Sequence, residues 1–126
     1  MSMEQINAVI TGVGGYVPDY ILDNEEMSRI VDTSDEWIME RVGVKTRHIL
    51  KPEQGSGTSY MMTRAVSQLL RKTGAAPDSI EIVICATTTP DYHFPSTASL
   101  VIGNCGLISM FPFLIHGSIT NVTDAY

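Results

Sequence analysis

The clearest periodic run of apolar residues lies in residues 58–73. Met62, Ala65, Val66, Leu69 and Leu70 fall at i, i+3, i+4, i+7 and i+8, which is one core-facing stripe of a helix. Arg71 and Lys72 occupy the last turn and Gly74 follows, as suits a helix end. The period then changes. Residues 80–88 are almost continuously apolar and end in threonines, which predicts a strand buried on both faces of a parallel sheet. Residues 6–11 are short, apolar and rich in β-branched side chains, and Gly12 stops them, which predicts a first strand. Strand, helix and strand at this spacing make a βαβ unit with a right-handed crossover. Ligands of such sheets gather beyond the carboxyl ends of the strands, here residues 87–96. Pro95 and Ser96 then open another helix, with Ala98, Leu100, Val101 and Ile102 as its apolar positions. Residues 107–115 are apolar again, but Pro112 removes a ladder donor and argues against a central strand.

Two shorter helices are expected between the first strand and the long helix. Asn24 is a good N-cap, Glu25 and Glu26 load the first turn with negative charge, and Met27, Ile30 and Val31 give one apolar face as far as about Asp32. Thr33 then restarts the chain as an N-cap, with Glu36 three residues on completing a capping box. Gly43 suits the left-handed residue just past the end of that second helix. Ile38 and Val42 share one of its faces, and Trp37 and Arg41 share the neighbouring one. A flat aromatic beside a guanidinium suits a planar ring carrying negative charge, such as a nucleotide. A lone tryptophan on a short helix also serves as core, and an arginine one turn away as a solvated charge; spacing alone leaves both readings open. Residues 46–50 read as a short extended segment and residues 51–57 as a loop.

Composition narrows the function. The chain has 126 residues, 44% of them hydrophobic, enough for one small domain with a real core. No linker and no internal repeat divides it. A net charge of -6 argues against a nucleic-acid binder, which would carry a basic stripe. Four of the eight Lys and Arg residues nonetheless lie between Arg41 and Lys51, so an anionic ligand would meet a locally positive patch. Gly12, Gly14 and Gly15 imitate a dinucleotide fingerprint, but Val17 stands where its third glycine belongs and Pro18 follows where a helix should start. These glycines suit a tight turn beside packed elements instead. Cys85, inside an apolar strand, reads as a small buried residue. No residue set reads as a metal site. No apolar run is long enough to span a membrane, and no leader pattern opens the chain, so a cytoplasmic protein with no membrane partner is expected.

Residues 33–49 closely resemble the "TSDEWI…R.G…R.I" signature of the β-ketoacyl-acyl-carrier-protein synthase III family. The Gly12–Pro18 turn, the strand at 82–89 and Pro90-Asp91-Tyr92-His93-Phe94-Pro95-Ser96 also agree with that family, in the same order. The resemblance covers about residues 5–101 and becomes poor after about Ile102, leaving 102–126 as an atypical tail. It implies an α/β chain with most of the first half of a thiolase-like fold, an incomplete N-terminal domain of βαβ units and a mixed sheet with packed helices. It implies further that Thr33, Trp37 and Arg41 contact the adenine-nucleotide end of coenzyme A (CoA). Phe94 would cross a homodimer interface toward the partner's acyl pocket. Family members condense acyl-CoA with malonyl-acyl-carrier protein to start fatty acid synthesis, with a CoA thioester as substrate and no permanently bound cofactor. Their nucleophile is a cysteine at a helix start, assisted by a histidine and an asparagine. Here the corresponding region reads His116-Gly117-Ser118-Ile119-Thr120-Asn121, and Cys105 comes too early in the wrong surroundings. No catalytic residue is therefore assigned, and the chain alone is expected to be inactive. A non-catalytic module that binds CoA or a partner, and an inert truncated fragment, are the alternatives.

Overall fold

The computed structural model describes residues 8–109 and 111–116. The chain divides into two compact units, one formed by Val17–Ser56 and the other by the segments on either side of it.

The Val17–Ser56 unit contains strand β1 (Tyr20–Asp23), helix α1 (Asn24–Ser28), helix α2 (Asp35–Arg41) and strand β2 (Thr46–Ile49). β1 and β2 pair antiparallel, with Tyr20 opposite Ile49 and Asp23 opposite Thr46. Leu22 from β1 and Ile38 from α2 are its buried apolar side chains. Both helices start one residue away from the sequence expectation. Asp23, not Asn24, caps α1: its Oδ1 accepts from the Glu26 amide at 2.8 Å. Ser34, not Thr33, caps α2: its Oγ accepts from the Trp37 amide at 3.2 Å, so the Thr33–Glu36 capping box does not form. In each case two adjacent residues have cap chemistry, and the residue that takes the role has extended backbone. α1 also stops at Ser28, so Ile30 and Val31 fall in a turn and stay exposed instead of completing an apolar face. Val42 lies at the C-cap of α2, outside the helical backbone, and is 65% exposed, so it does not share the buried side of Ile38. Gly43 follows with φ +67°, the left-handed conformation expected of it.

The second unit contains helix α3 (Gly57–Thr73), strand β3 (Ile82–Thr87), helix α4 (Thr97–Cys105) and strand β4 (Phe111–His116). β3 and β4 pair in parallel with α4 as the crossover, so the βαβ unit seen is β3–α4–β4. Residues 8–11 form no strand; Val9 and Ile10 are exposed, and no ladder partner lies beside them among the described residues. β-branched residues fit a pleated surface only where a neighbouring strand supplies one. β4, conversely, is a strand despite Pro112, which pairs opposite Val83. β3 is its one neighbour among the described residues, and a proline near the start of an edge strand is compatible with the ladder. Among the described residues the core contains Cys85, Ala98 and Val101, with Met62, Val66, Val83 and Cys105 packed around them. β3 is not buried on both faces as its composition predicts. Val83, Cys85 and Thr87 turn inward, while Ile82, Ile84 and Ala86 are exposed. α4 is capped by Ser96, whose Oγ accepts from the Ser99 amide, and ends at Gly106 with φ +64°. Residues 12–16 run along α3. A Cβ on Gly14 would come within 2.8 Å of Leu69 Cβ and 3.0 Å of Leu69 Cα, so this glycine permits a close approach to helix backbone. No helix among the described residues is long and apolar enough to cross a membrane. The tail from 117 onward lies outside the described residues.

α3 is capped from a distance. Asp91 Oδ2 accepts from the Ser59 amide at 2.8 Å, and the Thr58 hydroxyl donates to the Thr89 carbonyl at 2.5 Å. Gly57 makes this possible: its φ is +81°, and a Cβ there would sit 1.6 Å from Asp91 Oδ1. Gly57→Ala combines left-handed strain with loss of the cap and is expected to destabilise the chain by about 2 kcal/mol or more. Thermal or urea unfolding followed by circular dichroism measures this.

Candidate functional site

Ser34 starts α2 and Gly43 lets the chain leave it, so Trp37 and Arg41 stand one turn apart on a helix of 7 residues. Trp37 is 56% exposed, and the Arg41 guanidinium carbon lies 5.8 Å from the centre of its ring. This is a cation–π pair with an indole face open to solvent. Ile38 faces the interior and explains why Trp37, one residue earlier, faces outward. Beside the indole is an open-sided hollow of about 330 Å³ lined by Asp32, Thr33, Ser34 and Trp37. A second hollow, of about 630 Å³, lies on the other side of Thr33 and Ser34 and is lined partly by Asn24, Asp35, Lys45 and Thr46.

Thr33 borders both hollows. Its Oγ1 is buried and has no hydrogen-bond partner among the described residues. A buried hydroxyl without a partner incurs a desolvation penalty that a bound polar group would relieve. This orphan follows directly from Ser34 taking the cap. The structure thus brings Thr33, Trp37 and Arg41 together on the start and exposed face of one helix. Phe94 lies in the other unit, in the segment before α4, and is 90% exposed.

One important residue was missed by the sequence reading. Asn24 is 3% exposed, and its side chain joins three separate segments. Its Nδ2 donates to Asp35 Oδ1 at 2.7 Å and to the Val44 carbonyl at 3.0 Å, and its Oδ1 accepts from Arg47 Nη2 at 2.7 Å. The available signal was the neighbouring Asp23: with two cap-competent residues in a row, one is free for another task. Elsewhere in this unit His48 Nδ1 donates to the Pro18 carbonyl at 2.6 Å, and the Lys51 ammonium sits 3.6 Å above the Tyr20 ring centre. The Tyr20 hydroxyl donates to the Glu26 carboxylate, and that bond raises the phenol's pKa above its ordinary value.

Neither cysteine is placed as a nucleophile. Burial pushes the Cys85 thiol up, away from the reactive thiolate. Cys105 is the last residue of α4, at the helix end that disfavours an anion, and its thiol donates to the Thr63 carbonyl at 3.7 Å.

No protein-family model matches the chain. Among solved structures, 3-oxoacyl-[acyl-carrier-protein] synthase III from Aquifex aeolicus superposes with a TM-score of 0.79 at 37% identity, over 91% of this chain and 36% of that one. The fold is therefore a partial α/β fold of the thiolase-like condensing-enzyme class. Sequence relatives narrow the class. The chain is 68% identical over 111 residues to β-ketoacyl-[acyl-carrier-protein] synthase III 2 of Bacteroides thetaiotaomicron, and 66% identical over 111 residues to the synthase III of Phocaeicola vulgatus. These matches take in 88% of this chain, which spans about a third (33%) of the length of each relative. The sequence is similar to the N-terminal portion of β-ketoacyl-[acyl-carrier-protein] synthase III enzymes. A match of 111 residues within 126 reaches residue 111 at least, so the likeness runs on past Ile102.

The cysteines give a direct check on burial in their own unit. In the native chain iodoacetamide should alkylate half-buried Cys105 first and reach Cys85 only on unfolding. Timed labelling read by mass spectrometry follows the two sites separately.

Proposed function

We propose that this chain carries the CoA-nucleotide face of a β-ketoacyl-[acyl-carrier-protein] synthase III. The single observation that carries the reading is the half-exposed indole of Trp37 with Arg41 beside it, next to a hollow bordered by an unpartnered Thr33 hydroxyl. An adenine ring stacks on the free face of Trp37. The Arg41 guanidinium attracts the nucleotide phosphates, and Thr33 supplies a hydrogen bond to a polar atom of the ligand. CoA thioester is a substrate of this site, with no permanently bound cofactor. In the complete enzyme, acyl-CoA and malonyl-acyl-carrier protein are condensed to initiate fatty acid synthesis in the cytoplasm. Phe94 then reaches from one protomer of a homodimer toward the partner's acyl pocket, which accords with its bare position before α4. The nucleophilic cysteine and its histidine and asparagine partners have no counterpart in this sequence, so the chain alone binds CoA without turning it over.

Trp37→Ala should weaken CoA binding by about 5- to 150-fold, in line with the ~1–3 kcal/mol that a base–aromatic stack contributes. Isothermal titration calorimetry measures this. Unchanged affinity would remove the stacking assignment. With an acyl-CoA radiolabelled in the acyl group, no label should become covalently attached to the chain.

The exposed Ile82–Ile84–Ala86 face of β3 favours a second reading, in which the chain alone is an inert fragment that self-associates. Light scattering across a concentration series separates the two. A concentration-independent monomer that binds CoA supports the binding reading. Growing particles without CoA affinity support the other.

A further inference from the structure

We propose that Asn24 is the positioning residue of the Trp37–Arg41 helix, and that it sets the orientation on which ligand affinity depends. The ligand half of this inference rests on the CoA reading above; the positional half does not. A helix of 7 residues is too short to be stable or to fix its own direction in water. Its orientation must come from tertiary contacts. Ile38 supplies an apolar one, which is non-directional. Asn24 supplies the directional ones, and it does so at both ends of the helix at once. Asp35, which it binds at 2.7 Å, is the first residue of α2; Val44, whose carbonyl it binds at 3.0 Å, lies beyond the other end, after the C-cap Val42 and Gly43. Both amide hydrogens are thereby used on α2's two flanks, while Arg47 of β2 holds the amide oxygen at 2.7 Å and prevents the group from turning over. Arg47 also donates to the Asp23 carbonyl at 3.4 Å, so the residue that caps α1 and the strand that follows α2 share this anchor. No other residue type supplies two donors and an acceptor at this reach: Asp lacks the donors, and Gln moves the amide by a methylene.

A merely structural role predicts lower stability with unchanged ligand affinity in the folded molecules. A positioning role predicts a change at Trp37 itself. Trp37 is the only tryptophan, so its fluorescence anisotropy and iodide quenching report α2 alone. The experiment uses the full chain, CoA as the probe, and a temperature at which circular dichroism finds each variant folded. Asn24→Ala and Asn24→Asp should lower Trp37 anisotropy, raise quenching, and weaken CoA binding by about tenfold, the size of one lost hydrogen bond to a charged group. Leu22→Ala, which opens the same unit's apolar core, serves as the destabilised control and should leave both readouts as in the parent chain. Asp35→Ala changes an exposed side chain and cuts one of the three bonds, so it gives the same test in a milder form if Asn24→Ala does not fold. Folded Asn24 variants with parental anisotropy and affinity would overturn the proposal, as would a Leu22→Ala chain changed to the same degree. Absence of CoA binding by the parent chain would sink the ligand reading alone, because anisotropy and quenching still decide whether Asn24 orients the helix.

Discussion

The Val17–Ser56 unit depends on one buried amide. Its sheet has two short strands, its helices have 5 and 7 residues, and its apolar interior is little more than Leu22 and Ile38. Non-directional burial on that scale leaves many arrangements of nearly equal free energy. Asn24 removes the degeneracy, because hydrogen bonds in a water-poor setting are directional and costly to leave unmade. The same site explains why Arg47, in a nominally exposed strand, is half-buried: its guanidinium spans Asn24 Oδ1 and the Asp23 carbonyl.

The other unit is held differently. Cys85, Ala98 and Val101 form a small dry contact between β3 and α4, and α3 packs against it through Met62 and Val66. Polar ties do the positioning at its ends, with Asp91 and Thr89 fastening the segment before α4 to the start of α3. That segment bears Phe94, so an exposed aromatic is carried on a short loop fixed at both sides by caps. The bare face of β3 accords with a chain that spans a third of the length of its relatives.

Much of this was legible. The α3 stripe, the Ser96 start of α4, the glycine stops at Gly43 and Gly74, and the extended segment at β2 all follow from local chemistry, and each is where that chemistry puts it. The pairing of Trp37 with Arg41 was legible too, since an i,i+4 relation on a helix is geometry. Three of the misreadings share one cause. The strand expected at residues 6–11, the double burial of β3 and the exclusion of Pro112 from a strand were judgements about neighbours, and apolar composition does not say whether a neighbour is present.

The sequence by itself determined the class of the chain, most of its helices, and which of their side chains share a face, because these depend on spacing within a few residues. Only the tertiary structure decided which of two adjacent cap residues would cap. The residues that cap, Asp23 and Ser34, both have extended backbone. Each displaced residue then acquired a role no local pattern contains. Asn24 became the bond between segments distant in the chain, and Thr33 became an unpartnered hydroxyl at the edge of the site. Side-chain hydrogen-bonding capacity is written in the sequence, but its partner is chosen only when distant segments meet.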